Sequence, residues 1–355
     1  MAKKTPDNIT PATRLVTAGR RPEWTGPVVN PPVVRASTHL YEDSAAQQAG
    51  LRVNRDGVFH YGARGGPTQW ALADALTELE PGAAGTMLYP TGLAAPAMAL
   101  LSVLKAGDEL LVSDNSYDPS RTIAARALRD YGITTRFFDP MDVAGFAAMI
   151  GDTSRAVLLE APGSVSMEMC DIPALASAAK ARGLAVVMDN TWAGPTGFQA
   201  LRHGVDISVL ALTKHVGGHS DLMLGSATAN AEYYPRLRAR SLMLGQQASP
   251  DDCALALRGL RTMAARLARI VGARRLGGAV TRSKLVGVGH GGLLEALVVE
   301  TLWQKTRGGT SAEYWLRTDR QCRIGIQAPS LAEVDRAIGP ERGDHGGEQP
   351  AEWRL

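Results

Sequence analysis

The stretch VVMDNTWAGPTGFQALRHGVDISVLALTKHVGGHS, residues 186–220, decides the fold. It contains two short apolar runs. The first ends at Asp189, and the second is followed at once by Thr213 and Lys214. Short apolar runs bounded by polar residues and glycine are typical of buried strands. An acid and a lysine are therefore predicted at the ends of two strands that follow one another along the chain.

The wider sequence predicts the sheet to which these strands belong. Helices are predicted over residues 70–80, 92–104, 120–130 and 173–181, and strands over residues 109–113, 134–138, 156–160, 185–189 and 207–212. Helices that alternate with short β-rich runs predict a mostly parallel sheet covered by helices on both faces. Ligands of such sheets bind beyond the carboxyl ends of the strands, where Asp189 and Lys214 are predicted to lie.

The length of the chain predicts more than one domain. With 355 residues it exceeds one ordinary core, so we expect a large domain and a smaller one. Proline-rich residues 1–60 are predicted to form an N-terminal arm that packs elsewhere, often on a second subunit. The large domain is expected over residues 61–255, a shortened small domain over 256–338 and a disordered tail over 339–355.

The charge pattern argues against a nucleic-acid groove, because 38 lysines and arginines are interspersed with 35 aspartates and glutamates. The densest basic segment, residues 258–284, contains eight cations and no acid. Arg258, Arg261, Arg266 and Arg269 recur there at roughly helical spacing. This spacing favours a solvated helix face, with an anionic ligand as the alternative.

Cysteine usage and hydropathy predict the compartment. Cys170, Cys253 and Cys322 are too few and too scattered for a disulfide framework or a zinc cluster, which predicts a reducing cytoplasm and no metal site. The N-terminus lacks the apolar segment of a signal peptide, and the longest apolar run, residues 93–104, is too short to span a bilayer. We therefore expect a soluble protein that does not bind membranes.

The lysine and the acid of the opening stretch suit one cofactor. The amine of Lys214 can form an imine with an aldehyde, and partial burial would keep it neutral; an exposed loop lysine is the plain alternative. Asp189 could cap a helix or pair with a pyridinium nitrogen. Such a pair at about 4 Å, with an effective dielectric near 20, is worth on the order of 4 kcal/mol. Together they indicate pyridoxal 5′-phosphate, whose ring accepts the electron pair left when a proton leaves Cα.

Two other segments could complete a cofactor site. Thr91, Gly92 and Leu93 open a predicted helix, where backbone N–H groups and the helix dipole would bind a phosphate. Glycine is also common at helix starts that bind nothing. Tyr117 follows a predicted strand and could stack on the cofactor ring, although core packing is the default role of a single tyrosine.

Seven motifs give the chain a family resemblance from about residue 10 to about residue 269. They are YGARG at 61–65, YPTG at 89–92, EAPGS at 160–164, DNTWA at 189–193, TK at 213–214, GHSD at 218–221 and RGLRT at 258–262. In these motifs the chain resembles the Cys/Met-metabolism enzymes of the fold-type I pyridoxal phosphate proteins. The resemblance implies an α/β fold with a mostly parallel central sheet, covered by helices, and a smaller, shortened C-terminal α+β domain.

The resemblance also implies a reaction. GSVSMEMCDIP at 163–173 and Trp192 match the β-acting branch of the family, whose γ-acting relatives tend to carry Asn-Pro and Phe there. The expected reaction is a β-elimination that converts L-cystathionine and water to homocysteine, pyruvate and ammonia in methionine biosynthesis. Lys214 would hold the cofactor and move the proton, Asp189 would pair with the ring nitrogen, and Tyr117 would stack on the ring.

The remaining binding roles also follow from the resemblance. Gly92, Leu93 and Thr213 would bind the cofactor phosphate. Tyr61 would join them from a neighbouring subunit and contact the amino-acid substrate, so that a homodimer or homotetramer shares its sites. Arg323 matches the arginine that clamps the substrate α-carboxylate, a task suited to its bidentate fork.

Two departures from the family pattern leave alternatives open. The family usually places arginine two residues after the phosphate-binding Tyr61, but Ala63 stands there and Arg64 follows, so Arg64 is the candidate to bind the cofactor phosphate in its place. Between residues 270 and 286 much of the family's small domain is missing, and Gly289 and His290 replace the usual serine and tryptophan. The alternatives are another enzyme of the family, such as a cysteine or methionine lyase or a γ-synthase, and a paralogue that binds the cofactor without turnover.

Overall fold

The computed structural model describes residues 9–52, 57–164, 166–275, 304–305, 313–317 and 323–327, with side chains up to residue 268 except those of residues 51 and 52. The chain divides into two compact units, residues 1–301 and residues 302–355. Gly289, His290 and the tail expected over 339–355 lie outside the described residues.

The first unit contains twelve described α-helices. They are α1 (Pro11–Thr17), α2 (Pro22–Thr25), α3 (Ser44–Arg52), α4 (Pro67–Leu79), α5 (Ala94–Val103), α6 (Asp118–Thr122), α7 (Leu128–Asp130), α8 (Val143–Met149), α9 (Ile172–Lys180), α10 (Gly194–Gly197), α11 (Tyr234–Met243) and α12 (Pro250–Arg275). A π-helical turn, Ile123–Ala127, joins α6 to α7, so the helix predicted over 120–130 is continuous. Short 3₁₀ turns cover Gly62–Arg64 and Ala200–His203.

Seven strands of this unit form one mixed sheet. They are β1 (Ala83–Tyr89), β2 (Glu109–Ser113), β3 (Thr134–Phe138), β4 (Ser154–Glu160), β5 (Ala185–Asp189), β6 (Ile207–Ala211) and β7 (Gly225–Asn230). Their order is β1-β7-β6-β5-β4-β2-β3. In this order the five strands β6, β5, β4, β2 and β3 pair in parallel. Strand β7 runs antiparallel to its neighbours β1 and β6. The prediction of a mostly parallel sheet is confirmed.

Both faces of the sheet are buried, which explains the continuous apolar runs of its strands. In β2, Leu110 and Val112 pack with α5 and α11 on one face, while Leu111 packs with α8 and α9 on the other. All three side chains have no exposed surface. Burial of each stabilises the fold by about 1.5–3 kcal/mol relative to exposure. The parallel strands are therefore held with their carboxyl ends along one edge.

The sequence analysis did not predict β1 and β7, whose sequences are AAGTMLY and GSATAN. Small residues dominate both strands because neighbouring backbone and a tyrosine ring approach them closely. A Cβ at Gly225 would lie 2.3 Å from the carbonyl oxygen of Thr91, and a Cβ at Gly85 would lie 2.2 Å from the ring of Tyr234. Strand propensity reflects packing of large side chains on a pleated surface, so these strands carry little sequence signal.

The basic face expected on α12 is only partly solvated. Arg258 is exposed as expected. The guanidinium of Arg261 instead donates to the carbonyl oxygens of Leu15 and Ala18, both at 2.8 Å. Arg266 also binds backbone carbonyls. The expectation was wrong for these two arginines, because helical spacing shows which residues share a face but not whether backbone lies opposite that face.

The N-terminal residues contribute to the core of this unit. Leu15 and Ala18 are 1 % exposed and pack in a cluster with α4 and α12. The following residues 27–43 form no helix and expose Val28, Val29 and Leu40. The N-terminal segment is thus anchored at its first helix.

In the second unit, three strands are described. They are β8 (Gln304–Lys305), β9 (Glu313–Arg317) and β10 (Arg323–Gln327), paired antiparallel in the order β10-β9-β8. Arg323 begins β10 and pairs in register with Arg317. Among all the residues that the structure describes, no helix has the length and apolarity to cross a bilayer, and no group of three metal-ligating side chains occurs.

Candidate active site

The candidate site lies at the carboxyl edge of the sheet, where three neighbouring parallel strands end. Glu160 ends β4 and Asp189 ends β5, and the two residues are register partners. Strand β6 ends at Ala211 and is followed by Thr213 and Lys214. The sequence prediction that Asp189 and Lys214 follow adjacent strands is confirmed.

Hydrogen bonds fix the acid relative to the lysine. The N–H of Thr191 donates to Oδ1 of Asp189 at 3.0 Å, so Asp189 closes its own turn instead of capping α10. The hydroxyl oxygen of Thr191 accepts the N–H of Ala211 at 2.8 Å. The N–H of Lys214 in turn donates to the carbonyl oxygen of Ala211 at 3.1 Å. Two turns from different strands are thereby joined through one threonine.

Lys214 is exposed within the described chain. In the single chain Lys214 therefore has the exposure of a loop lysine, the plain alternative of the sequence analysis, and not partial burial. An exposed amine at this position can be reached by an aldehyde.

Glu160 is a site residue that the sequence analysis missed. Its Oε2 accepts the N–H of Tyr117 at 2.7 Å. Burial raises the pKa of Glu160, and the neighbouring charge of Asp189 raises it further; burial also raises the pKa of Asp189. The available signal was its position, since Glu160 ends one strand as Asp189 ends the next.

Tyr117 lies directly before α6 and is 47 % exposed. The alternative of core packing is therefore wrong for this tyrosine. Its backbone is fixed twice, because the carbonyl oxygen accepts the N–H of Ser120 at 2.9 Å while its own N–H is bound by Glu160. A half-exposed ring on a fixed backbone is free to contact a planar ligand.

The predicted phosphate segment lies beside the end of β6. The N–H of Ala94 donates to the hydroxyl of Thr91 at 3.1 Å, so Thr91 caps the start of α5. A Cβ at Gly92 would lie 2.6 Å from the Cβ of Ala211. Only glycine lets this turn pack so closely on the strand that leads to Lys214. The N–H groups of Ala94 and Ala95 already donate to the hydroxyl of Thr91 and to the carbonyl oxygen of Gly92, so an anion here would be bound by the N–H groups of Gly92 and Leu93 just before α5.

Thr213 contributes a hydroxyl next to this turn. The hydroxyl accepts the N–H of Leu224 at 3.2 Å and donates to its carbonyl oxygen at 3.3 Å. Gly92, Leu93 and Thr213 are thus held around the chain segment that carries Lys214, and this arrangement fits the phosphate end of pyridoxal 5′-phosphate.

Tyr61 and Arg64 belong to a segment before α4, and no hydrogen bond of the described residues connects them to Asp189 or Lys214. Tyr61 forms an isolated bridge with Thr38 and is 51 % exposed. Arg64 ends a 3₁₀ turn and lines a cavity of about 270 Å³ beside α4, β1 and α11. The residues lining that cavity do not include Asp189 or Lys214. The side chain of Arg323 lies outside the described part of the structure.

The fold and the site define a fold-type I pyridoxal phosphate enzyme. The sequence model of the Cys/Met metabolism PLP-dependent enzyme family matches residues 12–275. The chain belongs to this family, and membership implies pyridoxal 5′-phosphate as its cofactor.

Individual relatives agree with this assignment. The chain is 44% identical to a putative cystathionine beta-lyase of Rhizobium johnstonii, over 72% of this chain and 63% of the relative. It is 37% identical to cystathionine beta-lyase MetC of Escherichia coli, over 72% of this chain and 65% of the relative. The match thus covers less than two thirds of each relative. The crystal structure of metB from Corynebacterium glutamicum shares the fold, with a TM-score of 0.68 at 24% identity, over 88% of this chain and 80% of that one.

The Glu160–Asp189 pair predicts how stability depends on pH. Because the pKa of Glu160 is raised in the folded chain, the native state retains a proton that the unfolded chain has lost. Stability should therefore fall as pH rises from the ordinary carboxyl range through the folded pKa. The side chain of Glu160→Gln cannot ionise, so the free energy of unfolding of this variant should fall less over that pH range than that of the wild type. Each unit by which the pKa of Glu160 is raised corresponds to a difference of about 1.4 kcal/mol. Urea denaturation of the cofactor-free protein at several pH values measures this.

Glu80 provides a matched control for this prediction. It is 3 % exposed and accepts the N–H of Leu201 at 3.1 Å, in the turn that precedes β6, whereas Lys214 follows that strand. Burial raises the pKa of Glu80 to about 7. Glu80→Gln should therefore flatten the curve only below about pH 7. If the free energy of unfolding of Glu160→Gln and that of the wild type fell equally steeply above that pH, the raised pKa of Glu160 would be contradicted.

Proposed function

We propose that this protein is a cystathionine β-lyase, a pyridoxal phosphate-dependent carbon–sulfur lyase that converts L-cystathionine and water to homocysteine, pyruvate and ammonia. The observation that carries the proposal is the Asp189–Thr191–Ala211 hydrogen-bond chain, which holds an acid and the Lys214 turn at one sheet edge. The relatives named as cystathionine beta-lyases support the choice of substrate.

The residues present suit the two ends of the cofactor. The start of α5 and the Thr213 hydroxyl would bind the phosphate, and the carboxylate of Asp189 would accept a hydrogen bond from the protonated ring nitrogen. The half-exposed ring of Tyr117 would cover one face of the cofactor. When bound, pyridoxal phosphate withdraws electrons from the Cα of the amino acid that it carries.

Lys214 would then supply the acid–base chemistry. Its Nζ would bind the cofactor aldehyde and become free when the substrate amine replaces it. The free Nζ, held at the same sheet edge, would remove the proton from Cα, and departure of the thiolate from Cβ would complete the elimination. Glu160 would act by holding the backbone of Tyr117, and Asp189 by keeping its negative charge toward the ring.

Substrate binding is proposed for residues outside this edge. Arg323 would clamp the α-carboxylate of the substrate through its bidentate guanidinium. Tyr61, with Arg64 beside it, would complete the site of a neighbouring subunit, which requires a homo-oligomer of two or four chains. Residues 1–60 would form the arm, 61–255 the cofactor domain and 256–338 the small domain.

We place the protein in the cytoplasm. The described cysteines, Cys170 and Cys253, are buried free thiols, which is compatible with a reducing compartment.

The products formed from L-cystathionine distinguish this function from its alternatives. The protein reconstituted with pyridoxal phosphate should release pyruvate and homocysteine, measured with lactate dehydrogenase and a thiol reagent. Release of 2-oxobutyrate would favour a γ-acting enzyme of the family. A bound cofactor whose visible absorbance is unchanged by cystathionine, without either product, would favour the paralogue that binds without turnover.

Lys214→Ala should abolish covalent cofactor binding and lyase activity, because it removes the amine that forms the imine. The measurement is the visible absorbance of the reconstituted protein together with pyruvate release. Lys105→Ala is the control, since Lys105 is exposed in the turn after α5. Retention of covalent cofactor and lyase rate in Lys214→Ala would overturn the proposed role.

A further inference from the structure

The turn that carries Lys214 packs directly against helix α12. We call residues 213–218 the lysine loop. A Cβ at Gly259 of α12 would lie 2.2 Å from the carbonyl oxygens of both Val216 and Gly217. Gly218 has a φ of +73°, and a Cβ there would lie 2.2 Å from the guanidinium of Arg266. Gly259 is needed for the backbone of the helix and the backbone of the loop to meet, and Gly218 is needed for the left-handed turn that ends the loop.

Arg266 joins the two segments with its guanidinium. Nη1 donates to the carbonyl oxygen of His215 at 2.7 Å, and Nη2 donates to those of Val216 at 3.3 Å and Gly259 at 2.7 Å. Nε donates to the hydroxyl of Thr262 at 3.1 Å, which orients the guanidinium. All of these acceptors are neutral. The charge is thus used for hydrogen bonds to carbonyls, which are stronger from a cationic donor than from a neutral one.

Among the described residues, no backbone N–H donates to the two loop carbonyls that Arg266 binds, those of His215 and Val216. The backbone N–H groups of the lysine loop donate from Thr213 to Leu224 at 3.4 Å, from Lys214 to Ala211 at 3.1 Å, from Gly217 to Leu212 at 2.7 Å and from Gly218 to Lys214 at 2.8 Å. Leaving a buried carbonyl without a partner costs about 1–3 kcal/mol. Arg266 therefore stabilises the conformation of the loop immediately after the lysine.

We propose that Arg266 is a positioning residue for Lys214: by holding the lysine loop on α12, it keeps the amine at the sheet edge that also carries Asp189. The proposal rests on the proposed function of Lys214. It extends that function to a residue that contacts neither substrate nor cofactor and acts through the loop backbone.

Arg261 provides a control on the same helix. Its guanidinium also binds two backbone carbonyls, those of Leu15 and Ala18, at the same kind of distance. Arg261→Lys therefore weakens two bonds of the same kind to the N-terminal helix and leaves the lysine loop intact. A comparison of Arg266→Lys with Arg261→Lys separates an effect on the loop from a general loss of stability in α12.

The experiment measures hydrogen–deuterium exchange in the cofactor-free protein, followed by kinetics after reconstitution. Arg266→Lys should speed exchange at the Gly217 and Gly218 amides by about tenfold, as expected for loss of about 1.4 kcal/mol of hydrogen bonding. Arg261→Lys should instead speed exchange at Ala18, whose N–H closes α1. Cofactor incorporation and kcat should fall by a similar factor in Arg266→Lys, with KM changed less.

A milder variant guards against loss of folding. Thr262→Val removes the hydroxyl that orients the guanidinium and should raise loop exchange by a smaller factor, in the same direction. The proposal is overturned if neither variant speeds exchange at Gly217 and Gly218, or if Arg261→Lys does so equally. It is also overturned if exchange rises while incorporation and kcat stay unchanged. Failure of the wild type to form pyruvate would contradict the proposed function instead, and the exchange data would still judge the loop contact.

Discussion

The site depends on the hydrogen bonds that Thr191 makes with two strands. Its N–H binds Asp189 at the end of β5, and its hydroxyl binds the N–H of Ala211 at the end of β6. Parallel pairing alone places strand ends along one edge, but it does not fix the turns that follow them. The threonine does so, and thereby relates the carboxylate to the turn that bears Lys214.

Two carboxyl groups meet at this edge, and ionising both of them would cost stability. Two carboxyl groups, Glu160 and Asp189, lie side by side where burial raises the pKa of each. A cationic ring bound in front of Asp189 would offset the cost, which is the pattern expected when a functional site retains groups that destabilise the empty fold.

The sequence predicted the strand ends because apolar runs and the residues after them are visible in one dimension. It did not predict β1 and β7, since the glycines of these strands reflect the close approach of a tyrosine ring to β1 and of backbone to β7. Glu160 was missed because its relation to Tyr117 spans 43 positions and arises only when β4 pairs with β2. Arg266 was assigned to solvent because its carbonyl partners lie about 50 positions earlier, in a loop whose path no periodicity reveals.

The most direct test is a crystal structure of the protein with pyridoxal 5′-phosphate. The account predicts continuous density between Nζ of Lys214 and the aldehyde carbon, with a carboxylate oxygen of Asp189 within about 3 Å of the ring nitrogen. A cofactor bound at another edge, or with its ring nitrogen directed away from Asp189, would contradict it.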